Sequence, residues 1–318
     1  MKQRVISKTS LKSGQIGLGC NRLTDPGNPE QVAVANAAID LGVLHFDGAD
    51  SYGNGKCETF FGKVLKPRRK EMTLISKFGV VRKPDGSMGE NARPEYAALA
   101  CEASLKRMET DSIDLYYLHR MPKDTPIEDT IGAMADLIKA GKVKEIGLSN
   151  CNVDRVRRAH KVHPIAAVQM EYSLMERKHE KDLLPLCQEL GITFVAFGPM
   201  AFSFLTGTIR KPEDVGTDGA RARQSRFARE NIGHNIGLLS VLDRIAAELR
   251  VTPAQLALAW TLHRPWDILP IPGSTKVANL KANIAACDVQ LSPAQVKLLD
   301  DAFAAGKVLG DRSEAKAG

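Results

Sequence analysis

The chain has 318 residues, 43% of them hydrophobic and 25% charged, the proportions of an ordinary soluble globular protein. No apolar run reaches the ~18 residues that would cross a bilayer, so the sequence reading excludes a membrane span. Lys and Arg outnumber Asp and Glu by 44 to 37, but the excess is dispersed; the one dense run, Lys66-Pro67-Arg68-Arg69-Lys70, is too short to track a phosphate backbone, and nucleic acid is not an expected partner.

The N-terminal residues 1–8 hold no apolar stretch of signal-peptide length. The six cysteines (Cys20, Cys57, Cys101, Cys151, Cys187 and Cys287) are scattered, with no C-x-x-C pair. Together these features predict reduced thiols and a cytoplasmic location.

In chain order, residues 4–7 and 16–18 read as a hairpin around Lys12-Ser13-Gly14. From residue 43 onward, short β-rich runs alternate with stretches of helical period. The predicted strands are residues 43–47, 72–77, 113–119, 143–149, 165–169, 192–197 and 267–271. Most are nearly continuous apolar runs, as expected when a parallel sheet is covered on both faces. Between them Ala97, Cys101, Leu105 and Met108 recur about once per helical turn, as do Ile127, Ile131, Met134 and Ile138, and later Leu238, Leu242, Ile245 and Leu249. Pro94 and Pro253 suit first helical turns, while Gly42, Gly141 and Gly191 suit helix ends.

Seven β-then-α repeats, with a weaker eighth strand near residues 287–291, predict a single (β/α)8 TIM barrel over residues 1–306. Its N-terminal hairpin would cap the floor, and a polar tail would occupy residues 307–318. An open doubly wound sheet would be expected to carry a Gly-x-Gly-x-x-Gly turn after its first strand. Gly17-Leu18-Gly19 comes closest, with Arg22 in place of the third glycine. About 70 residues separate strands six and seven, and residues 208–235 are polar, Gly-rich and Arg-rich. Such long connections are usually lids or binding loops.

Chemistry in a parallel barrel sits at the C-terminal strand ends. Asp47, Tyr52, Lys77 and His119 stand at or just past three of them. Singly, each has a plain structural explanation: a turn cap, surface packing, a snorkelling lysine, a hydrogen-bonded core histidine. Together they form a proton-delivery device. A tyrosine titrates near ~10, too high to donate readily at neutral pH. A buried ammonium beside its hydroxyl is expected to lower that value. A carboxylate keeps the lysine charged, and an imidazole can hold a carbonyl oxygen in line.

With these residues in view, the chain resembles an aldo-keto reductase, nearest the pyridoxal-reductase-like branch of bacterial aldehyde reductases. The resemblance rests on Phe46-Asp47-Gly48-Ala49-Asp50-Ser51-Tyr52-Gly53-Asn54-Gly55, Asp114-Leu115-Tyr116-Tyr117-Leu118-His119-Arg120 and Gly141-Lys142-Val143-Lys144-Glu145-Ile146-Gly147-Leu148-Ser149-Asn150. Gln169-Met170-Glu171-Tyr172-Ser173-Leu174, Leu205-Thr206-Gly207 and Ile271-Pro272-Gly273-Ser274-Thr275-Lys276 follow in the same order. The resemblance implies NADPH-dependent reduction of a small carbonyl compound, an aldehyde or a ketone, to an alcohol. It makes Asp47, Tyr52, Lys77 and His119 the catalytic tetrad, with Tyr52 as general acid. Ser149, Asn150 and Gln169 would hold the nicotinamide carboxamide, and Phe197 stands where a tyrosine normally stacks on the ring. Gly198, Pro199 and Met200 would take the pyrophosphate, Gly273, Ser274 and Lys276 the 2′-phosphate, and Asn283 the adenine. The Arg-rich segment 208–235 has two readings: it folds over bound cofactor through Arg221, Arg223 or Arg226, or it is a mobile solvated loop. The chain departs from the family pattern at Gly48, usually Thr, Gly198, usually Ser, Ala282, usually Glu, and Met175, often aromatic.

Other constellations compete with this reading. Tyr52-Gly53-Asn54-Gly55-Lys56 has the Y-x-x-x-K spacing of short-chain dehydrogenases, but Gly-Asn-Gly favours a turn over the helix that chemistry needs. His45 and Asp47 share strand parity, as in metal-dependent hydrolase barrels. Residues 165–169 and 192–197 offer no further His or Asp ligands, so no metal is expected. Gly147-Leu148-Ser149-Asn150-Cys151 narrowly misses the hydrolase elbow G-x-S-x-G. A metal-assisted hydrolase barrel is the second reading of the function and a cofactor-binding, redox-sensing regulatory subunit with little turnover the third; oligomeric state is left open.

Overall fold

The structure, a computed structural model, describes residues 1–83, 85–122, 124–216 and 219–312. The chain divides into two compact units. Residues 1–170, 182–197 and 266–281 make the first; residues 171–181, 198–265 and those from 282 onward make the second.

Strands β1 (Gln3–Val5) and β2 (Lys12–Gly14) form an antiparallel hairpin, with Gln3 opposite Gly14. The hairpin predicted from sequence pairs residues 4–7 with 16–18 instead. Leu18 belongs to β3 (Leu18–Gly19), the first strand of the barrel. The weak eighth strand expected near residues 287–291 is a single helical turn, Ala286–Asp288, followed by loop. The difference has a physical source. A side chain at Gly19 would place its Cβ 2.9 Å from the Ile271 carbonyl oxygen, so close strand approach demands glycine where β-propensity asks for bulk.

Helix α1 (Pro29–Asp40), β4 (His45–Asp47) and α2 (Lys56–Phe60) follow. Next come β5 (Thr73–Phe78), the hairpin β6 (Val80–Arg82) with β7 (Met88–Glu90), and α3 (Pro94–Met108). The chain continues through β8 (Ile113–Leu118), α4 (Ile127–Lys139), β9 (Val143–Ser149), α5 (Val153–Val162) and β10 (Ala167–Glu171). It then runs through α6 (Leu183–Leu190), β11 (Thr193–Phe197), the short α7 (Gly219–Ala222), α8 (Arg229–Leu249) and α9 (Pro253–Leu262). Strand β12 (Ile268–Pro270), α10 (Val277–Ala285) and α11 (Pro293–Ala302) complete it. The seven strands predicted after residue 43 are all present, with ends shifted by no more than two residues.

Eight strands run parallel in the order β12-β11-β10-β9-β8-β5-β4-β3. The sheet closes on itself, because Gly17 N donates to Pro270 O, Gly19 N to Pro272 O, and Gly19 bridges Gly273. The (β/α)8 expectation is met. Strands β5, β8 and β10 are buried at every residue, which explains their lack of polar alternation. Inward-facing Ile75, Leu115, Tyr117, Ala167, Val195, Leu269 and Ile271 pack together. Ile6 and Leu11, at the two ends of the hairpin turn, join that cluster.

In the second unit, the long connection after β11 is built from helical turns, Phe204–Thr206, Pro212–Val215 and Ser225–Phe227, before α8. Thr252 and Gln255 form a reciprocal capping box that starts α9 at Pro253. Part of the expected C-terminal tail is tied down. Asn235 bonds Leu309 through both its amide groups, and Ser225 bonds Asp311. Residues 313–318 of that tail lie outside the described residues.

Candidate active site

Parallel strands end in register, so side chains two residues apart on neighbouring strands share one mouth. Asp47 ends β4, Lys77 lies next to the end of β5, His119 directly follows β8, and Tyr52 sits in the turn between β4 and α2. Lys77 Nζ has three acceptors: Asp47 Oδ2 at 2.6 Å, the Gly48 carbonyl oxygen at 2.7 Å and Tyr52 Oη at 3.3 Å. Its three protons are thereby all placed. Lys77 is fully buried and Asp47 nearly so. The other carboxylate oxygen of Asp47 accepts from Gln169 Nε2 at 2.7 Å.

His119 stands edge-on to Tyr52, with ring centroids 5.9 Å apart and planes at 84°. Its Nδ1 is 3.5 Å from Ser51 Oγ. Asn150, whose φ is 54°, donates through Nδ2 to the His119 carbonyl oxygen at 3.3 Å and to Ser149 Oγ at 2.8 Å. Asp47, Tyr52, Lys77, His119, Ser149, Asn150 and Gln169 are thus brought together.

The electrostatics refine the expectation for Tyr52. Burial is the largest influence and pushes its hydroxyl above the usual range; Lys77 pulls it back, and Asp47 pushes it up again. The net direction is upward, whereas the sequence reading has Lys77 lowering it. For a proton donor this is the useful direction, since the phenol stays protonated at neutral pH. For Lys77, burial works against the charge, but Asp47 and Tyr52 outweigh it and raise its pKa. The ammonium is therefore charged throughout the neutral range.

The departure at Gly48 has a packing cause. A Cβ there would lie 2.5 Å from Phe61 Cε2 and 2.9 Å from the Ile75 carbonyl oxygen. The Phe61 ring takes the space a threonine would need. His45 is fully buried, and neither ring nitrogen has a hydrogen-bond partner among the described residues. Burial lowers its pKa to about 4, so it is a neutral core residue. Among the described residues, no three His, Cys, Asp or Glu side chains gather as a metal site.

Phe197 is partly buried and packs against the barrel core. Gly273 bridges Gly19, Ser274 Oγ donates to the Lys276 carbonyl oxygen at 2.8 Å, and Lys276 is exposed just before α10. In the second unit, Gly198, Pro199 and Met200 open a turn in which Ala201, Phe202 and Ser203 all have positive φ. Three successive non-glycine residues in that region are costly and mark a specialised backbone. Asn283 is buried in α10.

Two of the three arginines read as reaching a cofactor are otherwise engaged. Arg226 is fully buried and pairs with Glu171 and Gln224, while Arg312 reaches the other oxygen of Glu171 at 3.2 Å. Arg221 donates to the carbonyl oxygens of Val215 and Phe202. Arg223 is exposed. Two contacts escape the sequence reading: Gln169 on Asp47, and Ser51 on His119. The first spans 122 positions, a distance no local pattern reports; the second is signalled only by adjacency to Tyr52.

The Aldo/keto reductase family pattern matches residues 15–304. The chain belongs to the aldo/keto reductase family, a family of oxidoreductases. It is 40% identical to probable aldo-keto reductase 1 of Glycine max over 305 residues, which cover 94% of this chain and 88% of that protein. It is also 40% identical to the aldo-keto reductase yakc, NADP(+), of Schizosaccharomyces pombe over 313 residues, 95% of this chain and 92% of that protein. A solved structure of an aldo/keto reductase from Klebsiella pneumoniae, in complex with NADP and acetate, is 27% identical with a TM-score of 0.74. That likeness covers 95% of this chain and 96% of the other.

Proposed function

We propose that the chain is a cytoplasmic NADPH-dependent reductase that converts aldehydes, with ketones as a second class, to alcohols. The observation that carries this reading is the Lys77 ammonium held between Asp47 Oδ2 at 2.6 Å and Tyr52 Oη at 3.3 Å. The named NADP(+) dependence of the Schizosaccharomyces pombe relative and the NADP complex of the Klebsiella pneumoniae protein support the cofactor. No helix of the described residues is long and apolar enough to cross a membrane.

The donor set around Asp47 suits a nicotinamide carboxamide, which needs both donors and acceptors: Ser149 offers a hydroxyl, and Asn150 and Gln169 offer side-chain amides. Phe197 would stack on the ring. Gly273, Ser274 and Lys276 would take the 2′-phosphate, which suits a charged donor beside a helix start. Gly198, Pro199 and Met200 would take the pyrophosphate, and Asn283 the adenine. When bound, NADPH supplies the hydride.

Tyr52 supplies the proton. Its hydroxyl hydrogen moves to the carbonyl oxygen of the substrate as negative charge develops there, and the phenolate left behind forms 3.3 Å from the Lys77 ammonium. Raised in the resting protein, the phenol is loaded at neutral pH; the cation lowers the energy of the phenolate only as it forms. That is stabilisation concentrated in the transition state. Asp47 holds Lys77 charged and in place. His119, edge-on to Tyr52, would hold the carbonyl oxygen in line.

Mixing the pure protein with NADPH and an aromatic aldehyde tests the reading. Cofactor oxidation that depends on the aldehyde is expected, with the corresponding alcohol formed in equal amount. Tight NADPH binding without turnover on any carbonyl compound would point instead to a regulatory subunit and contradict it.

A further inference from the structure

A cleft of about 640 Å³ opens in the first unit between the loop that carries Tyr52, the β6–β7 hairpin and helix α3. Its volume falls within the ~300–1,000 Å³ of small-ligand sites. The loop contributes Asp50, the hairpin Arg82 and Met88, and the helix Tyr96, Leu99 and Arg107. Met88 and Leu99 are 53% and 67% exposed, an unusual amount of bare apolar surface for two residues lining one cleft. Arg82 has no ion-pair partner among the described residues. Arg107 uses Nε on Glu58 at 2.6 Å and Nη2 on Ser104 at 3.3 Å, leaving Nη1 without an acceptor among them. Asp50 Oδ1 is buried and has no hydrogen-bond partner there either.

We propose that this cleft is a second small-molecule site for an amphipathic monocarboxylate, an aromatic or medium-chain acid, bound with its carboxylate between Arg107, Arg82 and Asp50 and its apolar body against Met88 and Leu99. Arg107 is already paired with Glu58, so among the described residues the unpaired charged groups lining the cleft are Arg82 and Asp50. With Asp50 neutral the balance favours an anion, and the planar guanidinium forks match a carboxylate. The apolar rim selects an acid with a body rather than an inorganic anion. The site goes beyond the proposed reductase activity and does not rest on it.

Asp50 makes the site sensitive to pH. Burial, then the Glu58 carboxylate, pushes its carboxyl up to about 7, against the Ser51 amide, Arg107 and Lys77. The groups that interact with it are Glu58 on α2, Lys77 on β5, Tyr96 and Arg107 on α3, and Tyr116 on β8; Arg82 on the hairpin lines the same cleft. A neutral Asp50 donates its O–H to the incoming carboxylate, whereas an ionised one repels it. Binding therefore takes up a proton. Asp50 N donates to the Lys77 carbonyl oxygen and Gly55 N to that of Asp50, so the Tyr52 loop forms one wall of the site.

Calorimetric titration of the full chain with benzoate tests the proposal. Benzoate is expected to bind about tenfold more tightly at pH 6 than at pH 8, as one proton taken up at a group near 7 requires. Asp50→Asn should bind with no such dependence. Arg82→Glu and Leu99→Asp should each weaken binding at least about tenfold, and uncharged benzamide should not bind. Tyr52→Phe should leave benzoate affinity unchanged, which separates this cleft from the carbonyl site. Absent binding, binding unaffected by both Arg82→Glu and Leu99→Asp, or binding lost in Tyr52→Phe would overturn the assignment. A failure of the reductase reading shows separately, as absent NADPH oxidation.

Discussion

Gln169 Nε2 donates to Asp47 Oδ1 at 2.7 Å, engaging the one carboxylate oxygen that Lys77 leaves free. Both residues are almost completely buried, so each lone pair left unmet is a desolvation penalty. The amide thereby fixes the carboxylate that fixes the lysine. Gln169→Leu should destabilise the protein by about 1–3 kcal/mol, the usual penalty for orphaning a buried acceptor. Urea denaturation reads this directly; an unchanged midpoint would mean that Asp47 finds another partner.

His45 gives a pH prediction whose sign follows from its lowered pKa. A folded value of about 4 against an unfolded value near 6.5 means that the unfolded chain binds the extra proton. Stability from the neutral imidazole is full above about pH 6.5 and is lost as pH falls through 4, roughly 3 kcal/mol in all. The difference in stability between His45→Leu and the parent should therefore shift in favour of the variant on acidification across that window. A constant difference would show that the imidazole is hydrated or paired in solution.

The architecture is legible in the sequence wherever burial and period agree. Strands β5, β8 and β10 are covered on both faces, so their sequences are apolar throughout and stand out between helical stripes. Strand β3 is hidden because close approach to Ile271 imposes glycine, which reads as a turn. The four proposed catalytic side chains can be found because each stands at or just past a strand end. Their mutual support is less visible: the Gln169 bond to Asp47, and the Phe61 ring that imposes Gly48, depend on residues brought together only by barrel closure. Arg226 misleads for a related reason. Its charge suggests an anion ligand, but Glu171, 55 positions earlier, neutralises it in the interior.

Lys276 offers a test of cofactor choice. It is exposed just before α10, where a 2′-phosphate would find a cation and a helix start. Lys276→Ala should raise the Michaelis constant for NADPH by roughly tenfold to 150-fold, the equivalent of about 1.5–3 kcal/mol for a charged hydrogen bond. The value for NADH should barely move. Equal changes for the two cofactors would remove Lys276 from the phosphate site.

The proposed chemistry turns on the Tyr52 hydroxyl delivering the proton while Lys77 stabilises the phenolate left behind. The single-turnover rate of aromatic aldehyde reduction by Tyr52→Phe at saturating NADPH, with cofactor affinity measured on the same sample, probes that step with the least interference. The rate should fall by about 10²–10⁴-fold with NADPH binding unchanged. Reduction of the aldehyde at the parent rate by the Tyr52→Phe variant would refute the role of the phenol.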